Sequence, residues 1–485
     1  MYADKNRQSG APPKRLRDRT LVHLLSLSAF SSTLFLPLIG KGFVHDDFVW
    51  LYIVSYESSW YGLTHPIQLF YTPLTWLTFK ADWMLWGLAP FPIALENLAL
   101  HISNTLLLYW LAFRLWRSDS AAWWAGFGFA LFYMANSWAV MWIAARPHLL
   151  ATLFCLAAAH ASVSYARRER RRVSTLGAIV LCVALSMLAK EIGVASVAVV
   201  FLVLFYVERS EHTRVRWRSC VSLLAALIVI LSAYLMLRAK VGAVSVLSNQ
   251  GWYHYTLEFG VLFSNLLEYV SRTYLIAGVL IGAIALSRYV RGARPRLKEV
   301  TRYEIGLSVA LFAVTLAPVI LIRGRSGLYT YLPGIAPALL LGAAARALYA
   351  SAPPLHRRRW VSLSPIVFVV VALSIATVGQ SLKWMRMAKT NMSILHQIAA
   401  QHARPTPGTK IILRYAKADR RYRFPDGFGT WSFPYAVKLL YRDPTLNGEI
   451  VSQEPSTEII PKDDEVNFVY QADDSYPKAV KIETR

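Results

Sequence analysis

The sequence is short of charge. Only 16% of its 485 residues are Asp, Glu, Lys or Arg, against about a quarter in a soluble domain, which excludes a disordered chain, a coiled coil and an ordinary cytosolic enzyme. It is also short of cysteine: Cys155, Cys182 and Cys220 are the three, each inside an apolar run, so they supply no disulfide framework outside a membrane. Acidic residues number 28 against 52 basic ones, a net charge of +24. No tetratricopeptide or other fixed-period repeat is visible. What fills the chain is apolar: 55% hydrophobic and 13% aromatic, with a mean hydropathy of +0.37. That composition points to an all-α polytopic membrane protein with some soluble mass attached.

A helix of about 20 mostly apolar residues crosses a hydrocarbon core of roughly 30 Å. About 11 transmembrane helices are expected on that basis, near 21–40, 93–113, 121–138, 143–165, 174–189, 191–207, 219–237, 259–287, 303–322, 328–349 and 361–381. Lys190–Glu191 reads as a turn that divides the fifth from the sixth. The first run follows a basic tail, 1–20; it is long and lacks a small-residue cleavage site, so it reads as an uncleaved helix rather than a signal peptide. Lys and Arg divide 27 to 8 between alternate sets of loops. The positive-inside rule then places the N-terminus in the cytoplasm and the chain beyond about 382 outside, in a multi-pass inner (plasma) membrane protein. The basic excess is therefore topological, and nucleic acid drops out as a partner. Arg167–Arg172 and Arg357–Arg359 read as topology determinants that also attract anionic membrane lipids.

Two larger segments lie outside the membrane within and after the 21–381 transmembrane domain. The first extracytoplasmic loop, 41–92, carries Trp50, Tyr52, Tyr56, Trp60, Tyr61, Tyr71, Trp76, Trp83 and Trp86, which suits one or two helices lying at the interface. The second, 396–485, reads as a small C-terminal extracytoplasmic α/β domain. Its strand-like runs are Lys410–Tyr415, Asn467–Gln471 and Val480–Ile482, with a helix-like run at Phe433–Tyr441.

Ionisable residues at membrane depth are functional candidates by default. Here they collect near one level: His45-Asp46-Asp47 after the first span, Arg146-Pro147-His148, Lys190-Glu191, and Arg323 and Arg325 before Tyr331. His101 and Asn104 share one helix face at i, i+3. Such a layout suits an enzyme acting on an anionic lipid headgroup at the outer surface. Transfer of a sugar from a polyprenyl phosphate needs a general base for the acceptor hydroxyl and cations where charge grows on the departing phosphate. A single displacement inverts the anomeric carbon. Asp46 or Asp47 is the candidate base; Arg323, Arg325, Arg146 and Lys190 are candidate phosphate ligands, and Glu191, His101, Asn104 and Tyr331 further substrate-binding candidates.

Each feature also has a plainer reading. The Asp pair suits an N-cap, His101 and Asn104 suit interhelical glue, Lys190–Glu191 suits a local ion pair, and Arg323 and Arg325 suit headgroup anchors. In the tail, Arg420, Arg421 and Arg423 before Phe424-Pro425-Asp426-Gly427 suit either an anion site or a solvated basic turn.

Lys41-Gly42-Phe43-Val44-His45-Asp46-Asp47 resembles the acidic first-loop motif of the GT-C membrane glycosyltransferases. Tyr71-Thr72-Pro73-Leu74-Thr75, Leu100–Leu108, Trp142-Ile143-Ala144-Ala145-Arg146, Leu188-Ala189-Lys190-Glu191 and Tyr331-Leu332-Pro333 are similar to stretches of one GT-C branch. That branch contains the transmembrane-and-TPR O-mannosyltransferases and bacterial proteins of the dolichyl-phosphate-mannose-protein mannosyltransferase type. The resemblance covers roughly 20–350. It implies a GT-C fold, a polyprenyl-phosphate-linked sugar donor, inverting transfer to an extracytoplasmic acceptor (a glycan, lipid or protein), a first-loop Asp acting on that acceptor, and no metal or other cofactor. Two departures leave the acceptor open: Met134–Met141 lacks the His-Pro and Glu common in the branch, and 396–485 stands where the TPR array is found. Two rivals remain, a transporter or flippase of lipid-linked sugar and an inactive GT-C scaffold. Transporters commonly show internal repeats and midplane polar residues, and neither pattern is evident in the sequence.

Overall fold

The structure, a computed structural model, describes residues 14–169, 172–211, 217–243, 253–293, 297–350, 359–416, 428–453, 464–471 and 481–484. The chain opens with α1 (Lys14–Phe35) and passes through three short helices, α2 (Asp46–Tyr56), α3 (Tyr61–Thr64) and α4 (Pro73–Trp86). The bundle follows: α5 (Pro90–Trp116), α6 (Asp119–Ala130), α7 (Tyr133–Met141), α8 (Arg146–Arg167), α9 (Arg172–Ala189), α10 (Ala195–Glu211), α11 (Trp217–Lys240), α12 (Phe259–Val270), α13 (Ile276–Val290), α14 (Arg302–Ile320), α15 (Ile335–Tyr349) and α16 (Arg359–Gln401).

Among the described residues seven helices are long and apolar enough to cross a membrane: Pro90–Trp116, Ile143–Arg167, Glu191–Glu211, Cys220–Lys240, Phe259–Val290, Arg302–Ile320 and Ser362–Gln401. Val173–Ala189 and Ile335–Tyr349 are shorter apolar helices. The remaining two expected spans are α1 and the 121–138 run. The latter breaks at Leu131–Phe132 into α6 and α7, where the Asn136 side-chain amide donates to the Phe129 carbonyl at 2.8 Å, satisfying one of the acceptors that a helix end exposes. Local chemistry starts the other helices: Pro73 and Pro90 stand in first turns, where a missing N–H costs nothing, and Thr301 with Glu304 forms a capping box for α14. Close packing of α6 on α15 depends on Gly342, where a Cβ would meet the Ala121 carbonyl oxygen at 2.6 Å.

Ion pairs mark one end of the bundle, with Arg167 on Glu211 at 2.5 Å and Arg346 on Glu304 at 2.7 Å. Opposite lie α2–α4 and the final stretch of chain. The 41–92 loop holds three helices rather than one or two. Several of its aromatics are core rather than interface groups: Trp50, Tyr71 and Trp76 are buried, while Trp60 and Trp86 stay exposed. The last span also runs on past 381. At 43 residues, α16 is roughly 65 Å long, and its distal half buries Trp384, Ile394, Leu395 and Ile398.

Beyond α16, β1 (Lys410–Ala416), α17 (Phe433–Tyr441), β2 (Asn447–Gln453), β3 (Glu465–Gln471) and β4 (Lys481–Thr484) form a four-stranded sheet with one helix. Strand order is β2-β1-β3-β4; β1 is parallel to both neighbours and β4 antiparallel to β3. This unit shares one hydrophobic core with the first loop. Phe48, Trp50, Leu51 and Val54 of α2 belong to the same buried cluster as Phe428, Phe433, Ala436 and Val437, and Phe428 stacks on Phe48 at 5.4 Å. The two segments outside the bundle are thus packed as one layer over its end. Arg420, Arg421, Arg423 and Phe424–Gly427 lie outside the described residues, as do most of the 1–20 tail, Arg170, Arg171, Arg357 and Arg358.

Candidate active site

The two aspartates of the first loop start α2, whose N-terminal dipole favours negative charge, but they do different things. Asp47 is 1% exposed. Its Oδ2 accepts the Val44 N–H at 2.9 Å and its Oδ1 the Ala144 N–H at 2.7 Å, so it ties the first loop to the turn before α8. Burial pushes its carboxyl up to about 8, opposed by those two amide donors and by Arg146, and reinforced by Asp46. Asp46 is only half-buried. Its Oδ1 accepts the Trp431 indole N–H at 2.7 Å and the Gln68 amide at 3.3 Å, leaving Oδ2 without a partner among the described residues. His45, just before the pair, has a φ of 47°, a conformation uncommon for a non-glycine residue.

The Lys190–Glu191 turn lies against the stretch 70–75. Glu191 Oε1 accepts the Tyr71 N–H at 3.1 Å, and the Thr75 hydroxyl donates to the Ala189 carbonyl at 2.9 Å. Lys190 Nζ sits 3.6 Å from Glu191 Oε2 and 3.2 Å from the centre of the Phe70 ring, a cation–π contact. Glu191, Arg238 and Asp46 are the charges that act on Lys190, and Tyr253, edge-on to Phe70 at 5.0 Å, also feels Asp46 and Glu191. The structure therefore gathers Asp46, Lys190 and Glu191 with Arg238, Gln68, Phe70 and Tyr253.

The other candidates stand apart from this group. Arg323 and Arg325 are 59% and 47% exposed; the first pairs with Glu258 at 3.5 Å and the second with Glu268 at 2.7 Å. Arg146, expected to hold a lipid phosphate, is fully buried and its guanidinium is taken up by protein. It meets Asp82 at 2.5 Å, Glu96 at 3.2 Å, the Asn97 side-chain oxygen at 3.1 Å and the Ile93 carbonyl at 3.0 Å, above the Phe79 ring. His101, Asn104 and Tyr331 do meet, with His101 Nδ1 2.9 Å and Asn104 Nδ2 3.3 Å from the Tyr331 hydroxyl. All three are fully buried, and Asn104 also donates to the Leu149 carbonyl at 3.0 Å. His101 stands 11 residues into α5, roughly 16 Å along the helix from its start and one turn beyond Asn97, a partner of Arg146; its Nε2 and Asn104 Oδ1 are buried with no hydrogen-bond partner among the described residues.

Trp431, Gln68, Arg238 and Asp82 were not singled out by the sequence. Two carry backbone signals. Gln68 has a φ of 57° in the turn bridging Ile67 and Phe70. Gly429, with a φ of 65°, packs under Trp431 where a Cβ would come within 2.7 Å of the ring.

No family model and no curated protein matches the chain. Solved structures do resemble it. ArnT from Cupriavidus metallidurans in the apo state superposes with a TM-score of 0.55 at 13% identity, over 90% of this chain and 86% of that one. ArnT bound to undecaprenyl phosphate gives 0.52 at 15% identity over 93% of each chain. The archaeal oligosaccharyltransferase AglB from Archaeoglobus fulgidus, in complex with an inhibitory peptide and a dolichol-phosphate, gives 0.51 at 11% identity over 90% of this chain, which spans 65% of that protein. These proteins are GT-C glycosyltransferases, and this chain has the GT-C fold.

Proposed function

We propose that the protein is an inverting glycosyltransferase that moves a monosaccharide from a polyprenyl-phosphate carrier to the hydroxyl of an extracytoplasmic acceptor. The observation that carries this reading is the placement of Asp46: a half-buried carboxylate with one oxygen unclaimed among the described residues, within electrostatic reach of Lys190. The fold supports it, since two of the similar solved structures hold a polyprenyl phosphate.

In this reading Asp46 Oδ2 accepts the acceptor proton as the acceptor oxygen bonds to the anomeric carbon, while the bond from that carbon to the phosphate oxygen breaks. Lys190, with Arg238 beside it, neutralises the charge left on the polyprenyl phosphate. Trp431 and Gln68 hold the other oxygen of Asp46 and fix the direction of the free one. Arg323 and Arg325 would meet the lipid headgroup at the rim. The end of the bundle bearing this site faces out of the cytoplasm, in keeping with the Lys and Arg bias of the loops.

Purified protein in nanodiscs, given a panel of polyprenyl-phosphate monosaccharides and a membrane extract as acceptor source, tests the reading through release of free polyprenyl phosphate. Wild type releases it from at least one donor, and Asp46→Asn lowers the rate by about 10²–10⁴-fold. No release from any donor, together with passage of sugar-lipid across a reconstituted bilayer, would promote the flippase instead.

A further inference from the structure

Beside Asp46 stands an aromatic corner of which the transfer chemistry above uses only the Trp431 indole N–H. Trp431, 54% exposed, stacks on His45 with ring centres 5.9 Å apart and planes 10° from parallel. Trp142 and Trp384 meet the same His45 ring nearly at right angles, at 74° and 82°. They lie parallel to one another at 5.7 Å, and Trp138 closes edge-on to Trp384 at 5.0 Å. The indole N–H groups of Trp138 and Trp142 are buried with no hydrogen-bond partner among the described residues. The Trp138 indole nitrogen lies against Gly327, so the groups left for a ligand in this corner are the exposed face of Trp431 and Asp46, whose Oδ1 takes the Trp431 N–H and whose Oδ2 has no partner among the described residues.

A pyranose ring fits both groups. One of its faces presents C–H groups to an indole, while its hydroxyls donate to a carboxylate. An alkyl chain would leave Asp46 Oδ2 unanswered. A Ser or Thr side chain would bring one hydroxyl but no flat C–H face. Anionic ligands would meet Asp46 directly. Resting on the transferase reading, we propose that Trp431, with the His45–Trp142–Trp384 corner, is the acceptor subsite and that the acceptor is a glycan whose terminal sugar packs on Trp431. The C-terminal unit, which delivers Trp431 through the tight Gly429 turn, is then the part of the chain that selects the acceptor.

Binding can be read without turnover. Full-length protein in nanodiscs, with no donor present, is titrated with neutral pyranose oligosaccharides (glucan, mannan and chitin fragments) and with a Ser/Thr peptide, following indole fluorescence. At least one oligosaccharide gives a saturable change. Its Kd rises about tenfold in Trp431→Ala, the scale of one aromatic stacking contact, and stays within about threefold of wild type in Trp431→Phe. Melting curves of both variants confirm that they are folded. The subsite is overturned if no oligosaccharide binds, if binding ignores Trp431→Ala, or if the peptide alone binds through Trp431, which transfers the acceptor to protein. Sugar binding through Trp431 in a protein that releases no polyprenyl phosphate would leave the subsite standing and remove the transferase. Release with sugar binding indifferent to Trp431 would do the reverse.

Discussion

Arg146 and Lys190 stand at the same end of the bundle, each next to a carboxylate and each at the head of an apolar helix, yet their surroundings are opposite. Arg146 is enclosed, with Asp82, Glu96, Asn97 and the Ile93 carbonyl around it. Lys190 retains 15% exposure, has one carboxylate 3.6 Å away and lies on an aromatic face. A cation fully matched by protein oxygens gains little from a phosphate, because each new bond displaces an old one. A cation with one loose partner and a second positive charge nearby gains a great deal. The comparison teaches that position at a span end nominates a cation, while the number of partners around it decides whether it can take a ligand.

The largest effect expected from this contrast is on stability at Arg146. The Asp82–Arg146 pair is almost wholly buried, and removing one member of such a pair costs about 3–5 kcal/mol, whereas replacing both with apolar groups costs far less. Arg146→Met and Asp82→Leu should each lower the unfolding midpoint in nanodiscs sharply, and the double variant should recover much of the loss. The effect reaches the site, because Arg146 follows the turn whose Ala144 N–H holds Asp47. An Arg146→Met protein that melts like wild type but shows a raised donor KM would invert the comparison.

At Lys190 the expectation is reversed. Lys190→Ala should lower the rate of polyprenyl phosphate release by about 10²-fold, the scale of losing one charge-stabilising donor, with the midpoint close to wild type. Lys190→Arg should restore part of the rate, since a guanidinium matches phosphate geometry. Equal losses of stability at Lys190 and Arg146 would erase the distinction between them.

How much of this was legible in the sequence differs by region. The helices of the bundle were visible because each apolar run must by itself satisfy the length of a bilayer crossing. The 121–138 run hid its break, since nothing in its composition announces the turn at Leu131–Phe132. In the C-terminal unit, β1, β3 and α17 announced themselves by alternation or by a helical apolar face. Strand β2, Asn447–Gln453, did not: Ile450 and Val451 are its only apolar residues, and it is a strand because it pairs with β1. The tail of α16 was missed because residues 382–401 bury their apolar face against segments distant in the chain: the first loop, the end of α7 with the turn after it, and the C-terminal unit. In the site, the acidic motif was evident, but the division of labour between Asp46 and Asp47 depends on Ala144 and on Trp431, 385 positions from Asp46. Chain neighbours cannot reveal such partners.

Asp46 and Asp47 repeat the main contrast at one-residue spacing, and pH probes the buried member of the pair. Burial raises the Asp47 carboxyl from 3.8 to about 8 in the folded protein, while the unfolded chain ionises near the ordinary value. Between about pH 4 and 8 the folded state therefore holds a proton that the unfolded state has lost, so the contribution of Asp47 to stability falls as pH rises through that window and levels off above it. Asp47→Asn removes the titration. It also turns one N–H acceptor into a donor facing a backbone donor, at a cost of about 1–3 kcal/mol. The expected result is a lower midpoint at acid pH and a difference from wild type that narrows toward pH 8. A wild-type minus Asp47→Asn difference that stays constant from pH 4 to 8 would mean that Asp47 is ionised throughout, held so by the Val44 and Ala144 amides.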